Sequence, residues 1–374
     1  MSITYKDSGV DIHLGDEASR ILYEAARKTW SNRSGRLGEV ITPFDDFTGV
    51  RMINVGGLPQ GTVLGIGFDG VGTKVEIGER IAKHDTIAFD LFAMVCDDAV
   101  VRGGEPVLIG TVLDVNTLSQ EDDSFLPFIH QLAQGYIKAA QEARVAVING
   151  EIAELGVRVK GFGHFNYNWS AGVLWFAQRD RMFTGFEIEP GDKLVGLRED
   201  GFRSNGLSLV RRILTNSFGE NWHTRLLEGE NLGELVLTPS RIYTRAVVDM
   251  IGGFEGKPQA EIHGVAHITG GGVPGKLGRI LKPKNLGAKI EDPFLPGKIV
   301  LYCQELGRIS DEEAYQTWNM GQGMIIITPE PNEVIKVARK YNLEAKVIGE
   351  VTENPGITIV SQGIFKKNEL LKFI

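Results

Sequence analysis

Apolar positions along the 374-residue chain come in short runs, and most runs end in glycine or in acidic residues. Residues 18–30 have helical spacing, with Ile21, Leu22, Ala25 and Ala26 on one face. Residues 62–66, Thr-Val-Leu-Gly-Ile, read as a buried strand that leads into Gly67-Phe68-Asp69-Gly70-Val71-Gly72-Thr73-Lys74. Asp85 or Thr86 caps a helix over 87–101, whose face carries Ile87, Leu91, Met94, Val95 and Ala99. Three aspartates interrupt it. Asp90 and Asp97 share a face, and Asp98 lies about 100° round from Asp97. Carboxylates in so apolar a helix need partners or a metal unless they face solvent, and one of the adjacent pair is expected to do so. A strand over 107–113, an amphipathic helix over 124–144, and strands over 145–148 and 168–178 follow.

The turn Glu187-Ile188-Glu189-Pro190-Gly191-Asp192 separates two halves, so domains are expected over 1–185 and 186–374. The second half restarts with a strand over 193–197. Gly201-Phe202-Arg203-Ser204-Asn205-Gly206 then opens a helix over 207–216. Residues 226–237 read as a surface excursion, and a helix is predicted over 240–251. A strand over 262–268 ends in His267-Ile268-Thr269-Gly270-Gly271-Gly272, before apolar positions at 277–281. Helices over 311–318 and 332–341 and strands over 324–328 and 345–351 complete the pattern; residues 352–374 suggest no role.

Composition narrows the function classes. The net charge is −8 without a basic stripe, which argues against nucleic acid as a partner. No apolar run approaches 18 residues, so no membrane span is expected, and the first 20 residues lack the apolar core of a signal peptide. Cys96 and Cys303, each in apolar surroundings, read as free thiols of a reducing, cytoplasmic compartment.

The candidate chemistry sits at the glycine-rich turns. In residues 67–74, glycines permit close backbone approach, Asp69 suits a hard cation, and backbone N–H groups with Lys74 suit phosphate oxygens. The order Gly-Thr-Lys is not that of a P-loop. The alternative is a glycine-rich turn with a surface lysine. Glu151 and Glu154, after Asn149-Gly150, fit a metal or phosphate position, or else a helix start that favours acids. At 201–206, Arg203 and exposed N–H groups at a helix start make an anion site reasonable. His267 is either a base or a satisfied core histidine.

Taken together and in order, these motifs resemble the aminoimidazole ribonucleotide synthetase family, the phosphoribosylformylglycinamidine cyclo-ligases of purine biosynthesis. The resemblance spans about residues 3–351. It rests on Tyr5-Lys6-Asp7-Ser8-Gly9-Val10-Asp11-Ile12, Asp69-Gly70-Val71-Gly72-Thr73-Lys74, His84-Asp85-Thr86-Ile87, Asp98 with residues 101–106, Gly150-Glu151 with Ala153-Glu154, Ser204-Asn205-Gly206, His267 to Gly272, and Asn319 to Met324. It implies an α/β (α+β) fold of two domains, each a mixed sheet covered by helices. It also implies a homodimer through the N-terminal sheets and sites in the clefts between domains. The implied cofactors are ATP and Mg²⁺. Asp69, Asp98 and Glu151 would hold the metal, and Lys6, Gly70, Gly72, Thr73 and Lys74 would contact ATP phosphates. Ser204, Asn205, Gly270, Gly271 and Gly272 would line the second-domain side of the cleft, Ser204 and the three glycines among the residues that bind the cofactor. Asp69, Lys74, Arg203 and Asn205 would carry the chemistry, in which ATP activates the formyl oxygen of formylglycinamidine ribonucleotide and a ring nitrogen then displaces phosphate.

The sequence departs from the family pattern in places. Arg203 stands where the family has histidine, and a guanidinium cannot shuttle a proton near neutral pH. Asp45 and Asp46 replace loop glycines, and Thr111 replaces an aspartate, with Asp114 three residues on. Arg203 either binds an anionic group of the acceptor, or faces solvent, or pairs with Glu199 or Asp200. The implied function is an ATP-dependent cyclo-ligase. The alternatives are an ATP-dependent kinase or ligase acting on another small acceptor, and a non-catalytic nucleotide-binding paralogue.

Overall fold

The computed structural model describes residues 11–42, 51–120 and 123–373. The chain divides into two units. The first holds residues up to Cys96 together with Pro106–Phe176, and the second holds Asp97–Glu105 and the chain from Ala177 onward.

In the first unit, α1 (Ile12–Thr29) starts at Asp11, whose carboxylate accepts from the backbone N–H groups of His13 and Leu14. Its stripe of Ala18, Ile21, Ala25 and Ala26 is buried. Then come β1 (Thr62–Gly70), α2 (Ile87–Val100), β2 (Glu105–Val115), α3 (Leu126–Ala143), β3 (Ala146–Glu154) and β4 (Tyr167–Gln178). The four strands form one sheet in the order β1-β4-β2-β3, with β2 and β3 parallel and Leu108 opposite Ala146. Helix α1 packs against α3 and β3.

Strand β1 differs from its expected burial. Leu64, Ile66 and Phe68 are 52%, 59% and 79% exposed, because alternate side chains of an edge strand leave by the uncovered face of the sheet. The opposite face is kept small. A Cβ on Gly65 would sit 2.1 Å from the Trp175 ring. Strand β3 also runs on to Glu154 instead of ending at residue 148, so Glu151 and Glu154 lie in a strand and not at a helix start.

The second unit contains β5 (Lys193–Arg198), α4 (Leu207–Phe218), α5 (Thr244–Ile251), β6 (Gly264–His267), α6 (Gly272–Leu281), β7 (Gly287–Ile290), α7 (Lys298–Gly307), α8 (Asp311–Thr317), β8 (Gln322–Thr328), α9 (Pro331–Lys340), β9 (Ala345–Thr352), β10 (Gly356–Val360) and β11 (Leu370–Phe373). Its sheet runs β6-β8-β5-β9-β7-β10-β11. Only β7 and β10 pair in parallel; the other neighbours are antiparallel. Strand β8 is buried along its whole length, as its run Met324-Ile325-Ile326-Ile327 requires. Met324 and Ile326 share a core with Val195, Leu197, Val247 and Val337.

Helix α5 begins at Thr244, later than the predicted 240. The preceding residues instead turn their backbone toward the acids of the site described below. Helix α7 was not legible as a separate element. Residues beyond 352 add strands to the sheet, and the segment before β11 is pinned by buried Asp311, which accepts from the backbone N–H groups of Phe365 and Lys366 at 3.1 Å each. Among the described residues, no helix is long and apolar enough to cross a membrane.

Candidate functional site

The first unit builds a concave site where β1 ends. Gly70 donates its N–H to Asp69 Oδ1 at 2.7 Å, and Val71 N–H donates to the Trp169 carbonyl at 3.0 Å, which fixes the start of the turn. Gly72 adopts φ +67°, a conformation open to glycine at little cost. Asp69, Gly110, Thr111, Asn149, Glu151 and Ser170 line a cavity of about 510 Å³. Thr73 is exposed on the turn beyond it. The two carboxylates bring hard oxygen donors to one cavity, the donor type that Mg²⁺ takes. Asn149 and Ser170 were not singled out from sequence, and Thr111 stood out there only as the replacement of a family aspartate. Thr111 and Asn149 flank motif residues, but only the pairing of β2 with β3 sets them side by side. Asp114 does not line this cavity. Glu154 holds the backbone N–H groups of Asp11 and Leu118 at 3.0 and 2.7 Å, a structural task.

Lys74 is turned away from the exposed side of the turn. It is fully buried, and its Nζ donates to Asp90 Oδ1 of α2 at 2.7 Å. Lys6, Asp45 and Asp46 lie outside the described residues.

The second unit gathers a different group. Two helix starts converge there. Gly206 (φ +72°) precedes α4, and Gly271 (φ +92°) precedes α6. A side chain on Gly272 would strike the Tyr315 carbonyl, and a Cβ on Gly270 would lie 3.6 Å from Asn205 Oδ1. Asn205 and the glycine run are therefore neighbours. Gly270 and Gly271 are exposed, and Ser204, Asn205 and Gly206 are partly so. Backbone N–H groups at such starts favour anions.

Behind these loops lies a buried polar cluster. Arg203, with no exposed surface and φ +56°, donates from one terminal nitrogen to Glu199 Oε2 at 2.8 Å and to the Arg241 carbonyl at 2.9 Å. The other donates to Asp97 Oδ2 at 3.0 Å and to His267 Nε2 at 2.7 Å. Asp97 also accepts from Tyr243 N–H at 3.0 Å and the Thr244 hydroxyl at 2.8 Å. These two bonds explain the late start of α5. The guanidinium lies over the Tyr243 ring, 5.2 Å from its centroid. Burial pushes the Asp97 carboxyl up, against the pull of Arg203. Burial also works against charge on Arg203, but Glu199, Tyr243 and Asp97 outweigh it and hold the guanidinium protonated. Asp98, one residue on, is 52% exposed at its side chain and accepts from His267 Nδ1 at 2.6 Å. Burial opposes its ionisation. The hydrogen bond from His267 and the fields of His267, Lys276 and Arg203 prevail, and its carboxyl lies below the usual range. Of the adjacent aspartates one is buried and one reaches solvent, as the helical spacing requires.

The predicted site residues thus fall into two sets, described separately: Asp69, Gly70, Gly72, Thr73, Lys74 and Glu151 in the first unit, and Asp98, Arg203, Ser204, Asn205 and Gly270 to Gly272 in the second. Among the described residues, no three His, Cys, Asp or Glu side chains already cluster as a metal site.

Two family models match the chain. The AIR synthase related protein N-terminal domain covers residues 51–165, and the corresponding C-terminal domain covers 189–362. This chain belongs to the AIR synthase family. It is 32% identical to the phosphoribosylformylglycinamidine cyclo-ligase of Pyrococcus furiosus over 364 residues, 97% of this chain and 99% of that protein. It is 34% identical to the enzyme of that name from Acetivibrio thermocellus over 357 residues, 94% and 97% of the two chains. The fold is shared with solved structures of much lower identity. A crystal structure of hydrogenase maturation protein HypE in complex with ATP superposes with a TM-score of 0.58 at 15% identity, covering 95% of this chain and 94% of that one. Thiamine-monophosphate kinase from Stenotrophomonas maltophilia gives 0.58 at 14%, covering 93% and 97%.

Proposed function

We propose that this member of the AIR synthase family is an ATP- and Mg²⁺-dependent cyclo-ligase that converts formylglycinamidine ribonucleotide to aminoimidazole ribonucleotide in cytoplasmic purine biosynthesis. The observation that carries the reading is the one-third identity to cyclo-ligases over nearly the whole length of both chains. In the reaction the γ-phosphoryl group of ATP passes to the formyl oxygen, and a nitrogen of the same molecule then attacks the activated carbon and expels phosphate. Such transfer asks for alignment and charge neutralisation more than for a covalent nucleophile.

The residues suit that demand. The backbone at Gly70 and Gly72, the Thr73 hydroxyl and Lys6 bind the ATP phosphates. Asp69, Glu151 and Asp98 are the Mg²⁺ ligands, and the bound ion supplies neutralisation of phosphate charge. Ser204 and the backbone at Gly270 to Gly272 bind the cofactor, and Asn205 takes part in the chemistry. Lys74 and Arg203 enter as charges set behind these loops, each held by a carboxylate of α2. The exposed Leu64, Ile66 and Phe68 on β1 favour a homodimer built on this sheet face. A stable monomer in light scattering at micromolar concentration would count against that assembly.

The test is turnover of ATP with formylglycinamidine ribonucleotide, read by phosphate release and by detection of the imidazole product. ATP hydrolysis without imidazole would overturn the acceptor. Asp69→Asn is expected to abolish turnover and leave the circular dichroism spectrum and melting temperature unchanged. Full activity in that variant would remove Asp69 from the metal site.

A further inference from the structure

Thr111, where the family has an aspartate, is a departure that the roles assigned above leave unexplained. It stands opposite Gly150 across β2 and β3, and a Cβ on Gly150 would come within 3.0 Å of its hydroxyl oxygen. The glycine therefore keeps that hydroxyl uncovered. Thr111, Asn149, Gly150 and Glu151 belong to the wall of the 510 Å³ cavity and also to that of a second, smaller one of about 140 Å³. Helix α1 adds Ser19 and Tyr23 to the smaller cavity, and Arg51 completes it. The guanidinium carbon of Arg51 lies 5.1 Å from the centroid of the Tyr23 ring and 5.3 Å from that of Trp30, so two rings hold it by cation–π contact. Trp30 is itself fixed, since its indole N–H donates to the Val147 carbonyl at 2.8 Å.

The smaller cavity is rich in donors. Thr111 and Tyr136, 7% and 2% exposed, bring hydroxyl oxygens 3.5 Å apart to its wall. Burial pushes the Tyr136 phenol up, so it stays protonated. Asn149 Oδ1 already accepts from Gly150 N–H at 2.9 Å, which leaves the NH₂ group as its donor end. Arg51 adds a positive charge that no pH near neutrality removes. Glu151 is the one carboxylate in this wall, and the metal assigned to it would offset its charge. Such a wall suits an anion with several oxygens. The volume is below the roughly 300–1,000 Å³ of pockets that take a whole drug-sized ligand, and it suits a single phosphate group. An aspartate at position 111 would set a second negative charge against that group, and threonine removes it.

We propose that this smaller cavity is a phosphate site with Arg51 as its charge partner, and that the phosphate group reaches it past Gly150 from the larger cavity. This rests on the reading of the larger cavity as the nucleotide site. The group is the terminal phosphate of ATP or the inorganic phosphate released from it, and both offer the same oxygens to the guanidinium.

Isothermal titration calorimetry on the full chain, in the presence of Mg²⁺, tests this. Inorganic phosphate is expected to bind the wild-type protein, and Arg51→Met to weaken it at least about tenfold, as loss of a charge-assisted hydrogen bond does. Thr111→Val keeps the shape of the side chain without its hydroxyl and is expected to weaken phosphate about fivefold. Wild-type affinity in Arg51→Met, or no phosphate binding by the wild-type protein, overturns the proposal. Should Arg51→Met not fold, unchanged affinity in Thr111→Val overturns it instead. ADP and β,γ-imido-ATP distinguish the two sources. Weakening of the imido-ATP alone in Arg51→Met places the terminal phosphate of ATP in the cavity. Unchanged binding of both nucleotides, with inorganic phosphate weakened, assigns the cavity to the released ion. Equal weakening of both nucleotides puts Arg51 on the rest of the nucleotide and removes the site. Phosphate bound through Arg51 without any imidazole product would keep this site and lose the acceptor. Imidazole production with phosphate binding indifferent to Arg51 would keep the enzyme and lose the site.

Discussion

Each unit carries a glycine-flanked motif with one cation, and both cations are buried facing inward. Lys74 meets the Asp90 carboxylate at 2.7 Å. Arg203 meets Glu199 at 2.8 Å and Asp97 at 3.0 Å, with a carbonyl and an imidazole besides. The head groups differ in kind: an ammonium is a compact point charge, while a guanidinium is a planar fork that joins several acceptors in one plane. One helix, α2, supplies an acid to each, Asp90 in the first unit and Asp97 in the second. A cation beside a glycine turn therefore need not be the group that touches a ligand.

The comparison breaks if the two cations prove equally replaceable. Arg203→Met strands two buried carboxylates and is expected to cost about 3–5 kcal/mol of stability, the range for a broken buried pair. Urea unfolding at pH 7 measures it, and a loss under 1 kcal/mol would mean the cluster is not intact in solution. Lys74→Met takes the ammonium away from the buried Asp90 carboxylate and is expected to cost about 3 kcal/mol. The pair can also be removed whole. Lys74→Met with Asp90→Leu is expected to cost less than Lys74→Met alone, because the apolar pair leaves no buried charge behind. No matching double change exists for Arg203, since removing Asp97 as well still leaves Glu199.

Acid sensitivity offers a different contrast, and the first unit carries it. His84 is buried among Phe128, Phe165 and Tyr167, and burial lowers its pKa from 6.5 to about 4. Below pH 6.5 the unfolded chain takes up a proton that the folded chain refuses until about pH 4. Stability from this residue is therefore complete above pH 6.5, falls as pH drops through the window, and falls no further below it. Between pH 7 and pH 5 the loss is expected to be about 2 kcal/mol. His84→Asn keeps a polar group near Nδ1, which lies 3.0 Å from the Tyr167 hydroxyl, and is expected to flatten that part of the profile. An unchanged slope in the variant would show that His84 is already charged, or solvated, at pH 5.

These contrasts also mark what sequence could and could not reveal. The spacing of Asp90, Asp97 and Asp98 was enough to say that carboxylates in an apolar helix need partners and that one of the adjacent pair meets solvent. The glycine runs at 67–72 and 270–272 announced sharp turns of the backbone, and the positive φ values at Gly72, Gly271 and Gly272 accord with them. The pairing of Arg203 with Glu199, four residues back, was among the sequence's alternatives and is present. The inward turn of Lys74 and the bond from Arg203 to Asp97 were not legible, because they depend on acids 16 and 106 positions away along the chain, and periodicity carries no record of such distant pairing. Strand β1 was misjudged for a related reason. An apolar run of five with a glycine inside reads as buried on both faces. The structure shows Gly65 making room for Trp175 on one side, while Leu64 and Ile66 emerge on the other.

The smallest expected effect sharpens the comparison most, because it separates distance from burial. Lys193 and Glu350 face each other across β5 and β9, with Nζ 2.6 Å from Oε2, closer than Arg203 is to Glu199. If short distance set the strength, Lys193→Met would rank with Arg203→Met. The two side chains, however, are 41% and 42% exposed. Water already solvates both ions in the unfolded chain and continues to do so in the folded one, so little desolvation is at stake and salt screens what remains. The stranded Glu350 carboxylate stays hydrated, unlike Glu199 or Asp97. Lys193→Met is therefore expected to cost less than about 1 kcal/mol, and less again when salt is raised. A cost near that of Lys74→Met, insensitive to salt, would show that cross-strand geometry and not burial governs these pairs, and the ranking of the two units by their buried cations would lose its basis.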